Sequence, residues 1–110
     1  MNPQIALRSY KESQIMSATP LQLVLMAYDA ALVACARRDL AKTTQAVNTL
    51  AKALDMNQGD IAVRLYYLYQ YCNDMARRGD FDEAARILRE LASAWIQCLV
   101  EQGPTGETGR

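Results

Sequence analysis

The chain contains no histidine, so no side chain of ordinary acidity is poised to exchange a proton near neutral pH. That removes the usual general base and the commonest zinc ligand in one stroke. Cysteine is sparse too. Cys35, Cys72 and Cys98 are odd in number, far apart and never arranged as C-x-x-C, so neither a zinc site nor a disulfide framework is expected. Each fits a small apolar core position, and buried free thiols suit a reducing cytoplasm. Neither sign of charge prevails, with 12 basic and 12 acidic residues. The basic doublets Arg37-Arg38 and Arg77-Arg78 read as favourable charges at helix C-termini, since a phosphate-tracking surface needs a wider basic stripe. No nucleic-acid partner is expected.

Other absences narrow the class further. Glycine is rare before the tail, no glycine-rich phosphate loop is present, and no stretch alternates like a strand. The first fifteen residues carry Arg8, Lys11 and Glu12 and no apolar block, so no secretory signal is read there. The greasiest run, Leu21 to Ala36, contains Gln22 and Asp29 and stops at Arg37-Arg38. A membrane span needs about 20 apolar residues, and a mid-helix aspartate costs roughly 2.5–3.5 kcal/mol. That run therefore reads as a buried helix. With carboxylates mostly at helix starts, where capping accounts for them, no catalytic site, metal or cofactor is expected. Asp29 is the exception and reads as a rim residue or a hydrogen-bonding fixture.

What remains is the pattern of an all-α protein, an antiparallel up-down four-helix bundle of one domain with an irregular N-terminal segment. Helices are expected at about 20–38, 40–55, 61–78 and 81–102, between an N-terminal segment (1–18) and a flexible tail (103–110). Thr19, Pro20 and Gln22 form the first start signal, and Asp39, Asp60 and Asp80 the next three. Leu21, Val24, Leu25, Tyr28, Leu32 and Cys35 give the first helix an inner stripe, but its reverse face is apolar as well, with Leu23, Met26, Ala30, Val33 and Ala34. A helix apolar all round is buried on more than one side or covered by something bound. Leu40, Val47, Leu50 and Leu54 line the second helix. Ile61, Leu65, Leu68, Cys72 and Met75 line the third, with Tyr69 and Tyr71 flanking that stripe and Tyr66 and Tyr67 turned away. Phe81, Ala84, Leu88, Leu91, Trp95 and Leu99 line the fourth.

Hydrophobic residues make up 51% of the chain. Two apolar faces on one helix and outward tyrosines on another exceed what a small core uses, and extended apolar surface marks a partner site. Helix-in-groove capture is the expected mode. The beads Ile5, Leu7, Tyr10, Ile15 and Met16 make the N-terminal segment a candidate for lying in such a groove until a partner displaces it. Two non-enzymatic alternatives stand beside this reading. Gly79-Asp80-Phe81-Asp82-Glu83-Ala84-Ala85 looks like the start of a tetratricopeptide repeat, although that architecture needs about three 34-residue units. A homodimer pairing its spare apolar face with itself is the other.

Several runs carry a family likeness. Ser17-Ala18-Thr19-Pro20-Leu21-Gln22-Leu23-Val24-Leu25-Met26-Ala27-Tyr28-Asp29-Ala30-Ala31, Leu65-Tyr66-Tyr67-Leu68-Tyr69-Gln70-Tyr71 and Leu88-Arg89-Glu90-Leu91-Ala92-Ser93-Ala94-Trp95 resemble, in order, three motifs of the flagellar secretion chaperone family FliS. Tyr10 falls where that family carries an N-terminal tyrosine. The resemblance implies a helical bundle that binds the C-terminal segment of flagellin in the cytoplasm, prevents premature polymerisation and delivers it to the flagellar type III export apparatus. An export-gate component is then a second candidate partner. Among the matching positions, Tyr10, Tyr28, Asp29, Tyr66 and Tyr69 are expected to be partner contacts, together with Ile15 of the N-terminal beads. The chain departs from the family at Ala30 and Gln70, where glycine and aspartate are usual. It is also shorter between Tyr28 and Leu54 by about four helical turns of 3.6 residues.

Overall fold

Two hairpin turns of one design set the course of the chain. The computed structural model describes residues 20–102, and the expected N-terminal segment, the start signal at Thr19 and the expected tail lie outside them. Four helices run through the described residues: α1 (Pro20–Ala36), α2 (Leu40–Lys52), α3 (Asp60–Arg77) and α4 (Phe81–Gln102). After α1, the Arg38 amide donates to the Cys35 carbonyl at 3.0 Å and the Asp39 amide to the Ala34 carbonyl at 3.0 Å. After α3, the Gly79 amide donates to Ala76 at 2.9 Å and the Asp80 amide to Met75 at 2.8 Å. Both pairs form the bonded closure of a Schellman cap, which requires a left-handed residue at its centre. Asp39 and Asp80 then start the next helix in the same way, their carboxylates accepting from the Lys42 and Glu83 amides at 3.0 Å.

The left-handed position is Arg38 (φ 56°) in the first turn and Gly79 (φ 86°) in the second. Arg38 tolerates the conformation with its guanidinium 5.8 Å from the Phe81 ring centre and 3.4 Å from Asp82, which joins the two turns at one pole. At Gly79 a Cβ would meet no atom within 4 Å, so only backbone strain opposes it. Gly79→Ala is expected to destabilise the fold by about 1–2 kcal/mol, read as a lower urea midpoint at unchanged slope.

The link between α2 and α3 differs from expectation. Asp55 caps a single 3-10 turn, Met56–Gln58, by accepting from the Asn57 amide at 3.0 Å. Gly59 (φ 69°) redirects the chain, and Asp60 is the first helical residue rather than a cap.

Each helix packs on its two neighbours in a ring, α1 on α2 and α4, α3 on α2 and α4. With such short connections this is an antiparallel four-helix bundle, all-α as the sequence implies. A tetratricopeptide array would leave its first and last helices apart, whereas here α1 packs against α4. The core holds Tyr28, Cys35, Val47, Leu50, Tyr69 and Leu88 amid buried alanines. Two expected stripes are rotated. In α3 the buried residues are Ala62, Tyr69, Cys72, Asn73 and Ala76, and Ile61 is 67% exposed. In α2 Thr43 and Ala46 join Val47 and Leu50 inside, while Leu40 faces solvent. The small residues win these places because they let antiparallel helices approach closely.

Candidate partner-binding groove

The inward face of α1 ends in a polar cluster. Tyr28 and Tyr69 are each 1% exposed, and their hydroxyls meet at 2.7 Å across the bundle. The Trp95 indole N–H donates to the Tyr28 oxygen at 3.0 Å. Three helices are thereby joined, and groups that would be costly to bury alone satisfy one another. Burial, reinforced by the hydrogen bond with Tyr69, pushes the Tyr28 hydroxyl well above ordinary tyrosine acidity. Burial raises Tyr69 likewise. The thiols behave as core atoms: burial lifts Cys35 and pushes Cys72 up to about 12, which leaves them inert, while Cys98 is exposed.

The opposite face of α1 has no such destination. Leu23 and Val33 are each 43% exposed, and with Met26 and Ala30 they form one wall of a groove of about 630 Å³ between α1 and α2. Ala27, Ala34 and Ala46 make a low floor, and Gln45 and Thr49 form the far wall. Arg37, Asp39 and Lys42 surround one end. A smaller cleft of about 180 Å³ opens at the other pole, between Val24, Leu54, Ile61, Leu65 and the edges of Tyr69 and Trp95.

The outer ends of α3 and α4 are held by charge. Glu83 accepts from Arg86 at 2.8 Å and from the Tyr71 hydroxyl at 3.0 Å. These bonds, that from Arg86 first, lower its carboxyl to about 2, and Tyr71 is raised in turn by its bond to Glu83. Glu83 thus turns outward instead of back to the Asp80 amide as a capping box would have it. Among the described residues no group of three or more thiols and carboxylates could hold a metal ion, and no helix is long and apolar enough to cross a membrane.

The model of the family described as "Flagellar protein FliS" matches residues 2–102. The chain belongs to the FliS family. No curated protein and no solved structure matches it. FliS proteins are chaperones of flagellum biogenesis, and the four-helix fold accords with that class.

The six contacts expected of a FliS chain fall in different places. Tyr10 and Ile15 lie outside the described residues. Tyr28 and Tyr69 are bonded to each other in the core, and only the edge of Tyr69 reaches a cleft, the smaller one. Asp29 is exposed on α1, beside the groove but not in its lining. Tyr66 is exposed on α3, where it meets Tyr67 edge-on at 5.8 Å, away from the groove. The residues absent from that set are Leu23, Met26, Val33, Arg37 and Lys42. The signal for the apolar three was the reverse-face stripe itself, which repeats at steps of three and four.

Proposed function

We propose that this FliS protein is a non-enzymatic cytoplasmic export chaperone. It holds the C-terminal segment of flagellin, prevents premature polymerisation and hands the subunit to the flagellar type III export apparatus. One observation supports this above the rest: α1 leaves an apolar wall uncovered by its own bundle, beside a groove long enough for a helix. A chain segment with apolar side chains gains from burying them there, at roughly 25 cal/mol per Å² before the cost of ordering the segment. Tyr66 and Asp29 are proposed as further contacts on the solvent-facing surface, with Tyr10 and Ile15 from the N-terminal segment.

Calorimetry with a flagellin C-terminal peptide from the same genome tests the reading. One-to-one binding that survives moderate salt and shows a negative heat-capacity change is expected. Val33→Asp, which puts a carboxylate into the apolar wall at a half-exposed position, should keep the fold and weaken binding about a hundredfold. No measurable binding to any flagellin of that genome would overturn the proposal.

A further inference from the structure

The groove is electrically lopsided. At the end formed by the α1–α2 turn stand Arg37 and Lys42, both exposed. Among the described residues neither has a carboxylate within ion-pair range, whereas Arg38, Arg77 and Arg86 all do. The one acid at this mouth, Asp39, is engaged by the Lys42 amide. The helix ends beside it are already closed, since the Ala34 and Cys35 carbonyls accept from Asp39 and Arg38. This pole therefore carries two flexible cationic side chains against a single carboxylate, a net positive charge. The far end, at Leu23 and Thr49, is lined by no charged residue.

The shape between these ends suits a helix. The lining residues of α1 run Leu23, Met26, Ala27, Ala30, Val33, Ala34 and Arg37, the three- and four-residue steps of a single helical stripe. From Leu23 to Arg37 is about 21 Å at 1.5 Å per residue. The alanine floor lets another helix backbone come close, while Leu23 and Val33 stand as ridges for it to pack between.

A helix laid in this trough has a direction to choose. Its last carbonyls carry about half a negative charge, and any terminal carboxylate adds to it, whereas its first amides carry the opposite sign. Lysine and arginine bond such carbonyls well. We infer that the groove binds its occupant as an amphipathic helix in one orientation, parallel to α1, with the helix C-terminal end against Arg37 and Lys42. This rests on the chaperone reading above and adds a direction to it.

Two measurements on the full chain with the same flagellin peptide test the direction. Arg37→Gln with Lys42→Gln should weaken binding about tenfold at low salt, and by less as salt rises. Arg64→Gln with Arg89→Gln, exposed cations on α3 and α4 outside the groove, should leave it unchanged. Spin labels are then placed on either end of the shortest peptide that retains binding. The C-terminal label should broaden backbone signals near Arg37 and Lys42, and the N-terminal label those near Leu23. Full affinity in Arg37→Gln/Lys42→Gln, or the reversed labelling pattern, would overturn the inference and leave the chaperone reading standing. Failure of the unaltered chain to bind would overturn both. If the double variant does not fold, the labels on the unaltered chain still decide the orientation.

Discussion

Leu88→Ala is expected to lower the unfolding free energy by about 3 kcal/mol, within the range of 2–5 for such truncations. Leu88 is wholly buried. Its neighbours one turn away on α4 are Ala84 and Ala92, and Ala31 and Ala46 belong to the same core. Side chains this short cannot swing into a vacated space, so the cavity persists and its lining loses contacts outright. Domains of this size hold only about 5–15 kcal/mol in total. Ile96→Ala, at an exposed position on the same helix, should stay within about 0.5 kcal/mol of the parent. Parallel denaturant titrations would compare them, and equal midpoints would show that α4 does not bear on the core as described.

Tyr28→Phe should cost about 1 kcal/mol although it removes no apolar surface, because the Tyr69 hydroxyl and the Trp95 N–H lose the oxygen they share and keep only each other. The cost of Tyr69→Phe should differ measurably in the presence and absence of Tyr28→Phe, since the three groups form one network. The same cluster predicts alkaline sensitivity. Both hydroxyls are raised above the unfolded value, so the folded chain keeps protons that the unfolded chain releases above about pH 10. Their contribution is fully present below that pH and declines as pH rises beyond it. Tyrosinate absorbance from these two rings should therefore appear together with loss of helical circular dichroism. Its appearance in a still-helical protein would refute the packing.

Helix starts and stops were legible in the sequence wherever one or two residues decide them. Asp39 and Asp80 cap as their positions imply, and Gly79 takes the left-handed turn. The phase of α3 was not legible. Ile61, Leu65, Leu68, Cys72 and Met75 make the more regular apolar stripe, but of these only Cys72 is fully buried, beside Tyr69, Asn73 and Ala76. Tyr69 turns inward to reach partners on α1 and α4, and Asn73 donates to Asn48 on α2 at 3.0 Å. Such partners are 41 residues away along the chain for the two tyrosines, a separation to which local periodicity is blind. The groove stood in between. The surplus apolar face of α1 is plain in its spacing, but which neighbour would leave it open, and that Arg37 and Lys42 would flank one end, depended on how α2 docks.

The half-buried Trp95 is the only tryptophan in the chain. Its ring borders the small cleft and stands apart from the α1–α2 trough. Its emission is consequently a native gauge of one location. A molecule seated along α1 and α2 should leave the glow nearly constant, whereas one wedged between the α2–α3 link and the end of α4 should change its colour or brightness.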